Sequence, residues 1–173
     1  MNIEQMQQYA RELAAAYEIL RSDMERYVHD IDAHNLCSAV VELGGVPVTP
    51  ALYSYSNPSD LPKKIKDACA FIIGDVDRKF IDRRGMQDLH TEVRLINHLF
   101  NADYLTQNHV VTFFSSRSVC ASCRAAIMTT QESFARTCAF NAMEFKAEVH
   151  GTVGEFVYPI LPLGEEQEAV RYF

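Results

Sequence analysis

Apolar residues recur at alternating spacings of three and four through the start of the chain: Ile3, Met6, Ala10, Leu13, Tyr17, Leu20, Met24, Tyr27 and Ile31. This a/d seam, on a stretch rich in Ala, Glu, Gln, Leu and Arg, predicts a long amphipathic helix within residues 1–33. The seam has two readings: a helix laid along its own domain, or one that pairs with a copy of itself or a partner protein. Residues 34–173 read as the main domain, with the chain as a whole forming one compact unit. Leu36 to Leu43 is an apolar run that predicts the first strand. Gly44-Gly45-Val46-Pro47 turns the chain, and Pro50 to Ser56 predicts a second strand in a hairpin. Asn57 to Pro62 reads as a loop, Pro62 to about Phe80 as a helix, and Asp82-Arg83-Arg84-Gly85 as a break. Asp88 can cap a helix from about Leu89 to Phe100, with Leu89, Val93, Ile96 and Phe100 facing inward. Ser118 can cap another from about Val119 to Phe134, with Val119, Ala126, Ile127 and Phe134 inward. His109 to Phe114 between them is a short apolar run, read as a buried strand. Ala142 to Val149 and Thr152 to Tyr158 predict further strands around Gly151, for an α/β fold with a sheet of about five strands.

Composition narrows the class without naming a function. The chain has 173 residues, 48% hydrophobic and 23% charged, near the common size of one globular domain. No apolar stretch approaches the roughly 20 residues that span a bilayer, so a membrane partner is not expected. The acidic, amphipathic start does not read as a signal peptide, and a cytoplasmic site of action is expected, with delivery as a secreted effector left open. Five cysteines, an odd number, fit a reducing compartment better than a disulfide framework.

The chemistry lies in two short segments. His90-Thr91-Glu92 is followed by Cys120-Ala121-Ser122-Cys123, each at the start of a predicted helix. One imidazole and two thiolates make three zinc ligands and leave the fourth tetrahedral corner for water. Cys123 follows Cys120 by three residues, so both sulfurs share a helix face. A helix N-terminus lowers thiol pKa values, favouring the thiolates that zinc requires. Glu92, two residues from the histidine, is placed to move protons to and from that water.

This pairing resembles the cytidine-deaminase-like superfamily, whose signature is H-x-E on one helix and P-C-x-x-C on the next. The resemblance implies a three-layer α/β/α fold with a mixed sheet, here preceded by the added N-terminal helix. It also implies zinc on His90, Cys120 and Cys123, with Glu92 as the catalytic proton shuttle and not a ligand. The departure is Val119, where the family pattern has proline. The run from Ser115 to Arg124 looks more like the deaminase domains of bacterial polymorphic toxins. The motif resemblance covers about His90 to Phe134 and is architectural elsewhere. The fold it implies makes Tyr53, Tyr55 and Asn57 candidate pocket-lining residues, although a tyrosine-rich edge strand reads equally as sheet packing.

The expected activity is hydrolytic deamination of a cytosine-like base, carried by a free nucleoside or nucleotide or by single-stranded nucleic acid. A net charge of −7 argues against broad electrostatic capture of nucleic acid. Lys63, Lys64, Lys66, Arg78, Lys79, Arg83 and Arg84 nevertheless gather before the histidine, and Arg117 and Arg124 flank the cysteines. The lysines also fit a solvated helical face, leaving the four arginines Arg83, Arg84, Arg117 and Arg124 as candidates to hold a phosphate. The alternatives are a non-catalytic zinc-stabilised domain acting in protein–protein interaction, and a thiol redox protein. Neither accounts for Glu92. Cys37, Cys69 and Cys138 stand at no ligand spacing and read as small apolar core residues. No role is assigned to His29, His34, His98, His109 or His150.

Overall fold

The computed structural model describes residues 1–24, 34–56 and 90–143, together with Lys63, Ile73, Phe80 and Ile81. Helix α1 spans Ile3–Met24 and opens on a reciprocal cap. The Asn2 backbone N–H donates to Gln5 Oε1 and the Gln5 N–H to Asn2 Oδ1, both at 2.9 Å. Two otherwise orphaned helix donors are thereby satisfied.

Strand β1, Leu36–Leu43, is the apolar run predicted for it, and it lies inside the sheet with neighbours on both edges. Gly44 (φ 61°) and Gly45 (φ 82°) turn the chain back; both left-handed values match a tight hairpin turn, where a Cβ would be strained. The return arm comes in two pieces, β2 at Val46–Pro47 and β3 at Leu52–Tyr55, both antiparallel to β1. The second strand is thus shorter than the Pro50 to Ser56 expected, because Pro50 has no N–H to place in a ladder.

Helix α2, Thr91–Asn101, leads to strand β4, His109–Ser115, which pairs antiparallel with the free edge of β1. Helix α3, Ala121–Ser133, then carries the chain to β5, Arg136–Asn141, parallel to β4. The parallel pairing needs such a crossover, and the helix supplies it. The result is a mixed five-stranded sheet in an α/β arrangement.

Strand alternation divides the core into two. Leu36 and Val40 of β1, Phe114 of β4 and Phe140 of β5 pack with Met6, Ala10, Leu13 and Leu20 of α1. Cys37, Ala39 and Val41, Val111 and Phe113, and Ala139 face the other way, onto Val93, Leu95, Ile96 and Leu99 of α2 and Ala126 and Ile127 of α3. Helices therefore cover both faces of the sheet. The α1 seam is spent on its own chain as far as Leu20; Tyr27 and Ile31 lie outside the described residues.

Strand β5 corrects the sequence reading. It occupies Arg136–Asn141, where no strand was predicted, and Ala142, expected to open one, is helical. Six residues with polar ends carry no periodicity strong enough to declare a strand; pairing with β4 creates it. The rest of the predicted strands, Met143 aside, and the helix predicted after Pro62, lie outside the described residues except for Lys63, Ile73 and Phe80.

Candidate metal centre

The helices carrying the motif begin later than expected. His90 is itself the N-cap of α2, with extended backbone (φ −67°, ψ 136°). Cys120 is the N-cap of α3 (φ −69°, ψ 160°), and its Sγ accepts the Cys123 N–H at 3.4 Å. Neither is the second helical residue, Ser118 is not the cap, and Asp88 lies outside the described residues. A cap residue leaves the helical path; the Cys120 side chain bonds back to its own first turn, and that of His90 does not. Two such turns meet here. Antiparallel pairing of β1 with β4 sets Cys37 opposite Ser115, so the start of β1 adjoins the loop that carries Cys120.

The two caps bring their ligand atoms together with the third. His90 Nδ1 lies 3.0 Å from Cys123 Sγ and 3.3 Å from Cys120 Sγ. All three donor atoms fall within 4.8 Å of one another, a group able to hold a metal ion. Ordinary zinc–nitrogen and zinc–sulfur bonds in a tetrahedron put neighbouring N and S atoms about 3.6 Å apart. Outward shifts of a few tenths of an ångström therefore admit the ion, with Nδ1 as the histidine donor. Cys123 is 1% exposed, whereas Cys120 is exposed and His90 half-buried, so the group opens to solvent on the Cys120 side.

The thiols differ in acidity. Burial, then the Glu92 charge and hydrogen bonds with Cys120 and Glu92, push the Cys123 thiol far above its ordinary range. Burial also raises Cys120, but hydrogen bonds from Ser122, at 3.1 Å, and from Cys123 outweigh it and leave that thiol lowered. Two thiols and a carboxylate thus converge, and no Lys or Arg ion-pairs with Glu92 among the described residues. A divalent cation is the partner that favours both thiolates at once. The donor set fits one.

Glu92, in the first turn of α2, is 3% exposed and stands outside the three-residue donor group. Its Oε2 accepts from Thr91 Oγ1 at 2.8 Å and its Oε1 from Asn35 Nδ2 at 3.3 Å. Asn35 Nδ2 also donates to Thr91 Oγ1 at 2.9 Å. At its other end, Asn35 Oδ1 accepts from Ser115 Oγ at 3.0 Å and Ser116 Oγ at 2.9 Å. Sequence reasoning missed Asn35, Thr91, Ser115 and Ser116. Asn35 bears no motif relation to Glu92, and only the sheet register brings them together.

Other candidates fall elsewhere. Tyr53 and Tyr55 belong to the α1 side of the sheet, which removes them from the metal side; Asn57, Arg83 and Arg84 lie outside the described residues. Arg117 and Arg124 are exposed, one in the loop before α3 and one in its first turn. Cys37 is fully buried in the core, its thiol raised by burial and by Glu92, and it takes no part in the donor group. Cys138 packs against the α1-side core. His34 stacks on Tyr55 at 5.5 Å, and His109 Nδ1 meets Thr106 Oγ1 at 2.6 Å.

Comparison with protein-family models, curated proteins and solved structures found no match.

Proposed function

We propose that this chain is a zinc-dependent hydrolytic deaminase of a cytosine-like base, free as a nucleoside or nucleotide or held in single-stranded nucleic acid. The observation that carries the reading is the buried Glu92 carboxylate beside three converging soft donors, His90 Nδ1, Cys120 Sγ and Cys123 Sγ. A structural metal site has no use for a carboxylate that is not a ligand. The motif resemblance to cytidine-deaminase-like proteins, and within them to bacterial toxin domains, points to the same chemistry.

His90, Cys120 and Cys123 hold the ion. Zinc, when bound, supplies a Lewis acid that makes a water nucleophilic near neutral pH. Glu92 takes the proton that the attacking water gives up and passes it to the ring nitrogen next to the amine-bearing carbon. Its carboxylate then helps to move a proton onto the exocyclic amine, which leaves as ammonia while the carbonyl forms. Thr91 and Asn35 hold the carboxylate through neutral donors, so each oxygen keeps room for a proton. The first-turn amides of α3 lie at the same mouth and favour negative charge developing there. Arg117 and Arg124, exposed around the cysteines, suit a phosphate on the substrate.

The test is zinc content together with ammonia release from cytosine, cytidine, dCMP, single-stranded DNA and single-stranded RNA. Stoichiometric zinc with ammonia release from one of these supports the proposal. Zinc binding with no ammonia from the whole panel would instead favour the zinc-stabilised, non-catalytic domain.

A further inference from the structure

We infer that Asn35 is a positioning residue that sets where the Glu92 carboxylate stands relative to the metal ligands, an inference that rests on the proposed deaminase reading. A side-chain amide offers two N–H donors and an oxygen with two lone pairs. Asn35 uses all four. Nδ2 gives one hydrogen bond to Glu92 Oε1 and one to Thr91 Oγ1, which itself donates to Glu92 Oε2. Oδ1 takes hydrogen bonds from Ser115 and Ser116. The amide orientation follows from chemistry, because a carboxylate offers no proton and the seryl hydroxyls do.

The geometry gives this amide a task beyond filling space. One end grips Glu92 at the mouth of α2. The other grips the end of β4, from which the loop to Cys120 departs. Asn35 is itself fixed at the backbone: its N–H donates to Ser56 Oγ at 3.0 Å and its carbonyl accepts the Ser56 N–H at 2.9 Å. Next to it, the Leu36 N–H donates to Ser116 Oγ and the Ser116 N–H returns to the Leu36 carbonyl, at 2.9 and 2.8 Å. The sheet therefore anchors a polar link between the carboxylate and the root of the cysteine loop. With every hydrogen-bonding position of its amide used inside the protein, Asn35 acts through Glu92 and does not recognise the substrate itself.

The experiment compares the full-length zinc-loaded wild type with Asn35→Ala and Asn35→Asp. The aspartate keeps the oxygen that accepts from Ser115 and Ser116 but loses both donors to Glu92 and Thr91. Zinc content, kcat and KM are measured on whichever panel substrate the wild type turns over. Misplacing a reacting group by about 1 Å costs on the order of 10²-fold. We expect kcat to fall about 10- to 100-fold in both variants, with KM within about twofold and zinc retained. Independently of turnover, the Asn35 side-chain amide signal in ¹⁵N-labelled protein should shift in Glu92→Gln. An unmoved amide signal, or unchanged kcat in zinc-loaded variants, would overturn the inference. So would loss of zinc or of folding in both, which would assign Asn35 to the scaffold. A wild type silent on every substrate would overturn the deaminase reading and this one with it, whereas an active wild type with undiminished variants overturns this one alone.

Discussion

Glu42 and Glu92 are both buried, at 1% and 3% exposure, on opposite faces of one sheet, and their surroundings differ in kind. Glu42 points to the α1 side, where it meets the Met1 ammonium at 2.9 Å. Among the described residues Glu92 accepts from neutral donors, Asn35 and Thr91, with two thiols close by. A cation beside the first carboxylate balances its charge. The second keeps acceptor capacity next to donors suited to a metal. The faces contrast in the same way overall: α1 lays a continuous apolar seam over the strands, while α2 and α3 present their open first turns at one end of the sheet. Burial alone therefore does not separate scaffold from candidate site; the partners of the buried charge do.

The contrast can be broken most sharply at Glu92. Glu92→Gln keeps shape and removes the proposed proton carrier, and turnover should fall about 10²- to 10⁴-fold with zinc retained. Ammonia release and metal analysis on the same sample check this; a zinc-loaded variant with normal turnover would refute the assigned role. Next in size is Cys123→Ser, which should reduce zinc from about one equivalent to near none and lower the unfolding midpoint. The same change should leave α1 packed, seen as retained helical signal.

On the other face, Leu13→Ala should destabilise the protein by about 2–5 kcal/mol, because Leu13 is fully buried between α1 and the sheet. Zinc content and kcat of the folded fraction should stay at wild type. Denaturant unfolding and metal analysis together decide whether the faces are energetically separate, and loss of zinc would show that they are not.

The smallest expected effect concerns the two thiols after chelation. Cys120 is exposed with a lowered pKa, so its thiolate forms at a lower pH than an ordinary thiol's and should be alkylated first as pH rises. Cys123 is buried and its pKa raised, so in the folded chain it should stay protonated and unreactive through that range. Mass spectrometry of iodoacetamide-treated protein reads the order, and bound zinc should suppress both reactions. Equal labelling of the two at neutral pH would remove the asymmetry argued for the site.

Much of the arrangement was legible in the chain. The α1 seam announced itself by its spacing of three and four, and β1 and β4 by short continuous apolar runs, since burial on one face or on both leaves these patterns. The grouping of His90, Cys120 and Cys123 was legible because metal binding restricts residue type and spacing. The helix starts were misplaced by two residues, as Asp88 and Ser118 are better caps in isolation than His90 and Cys120. Strand β5 was missed because its identity comes from a neighbour and not from its own six residues.

Local sequence thus determined which faces are apolar and which side chains can bind a metal, because both are properties of residues at short spacing. Only the tertiary structure decided that Asn35 meets Glu92, that Tyr53 and Tyr55 lie on the far side of the sheet, and that the cysteine loop starts beside β1. Those facts depend on strand register and on the assignment of alternate residues to one face or the other. Register is a relation between distant segments, fixed only when both faces of the sheet are buried together.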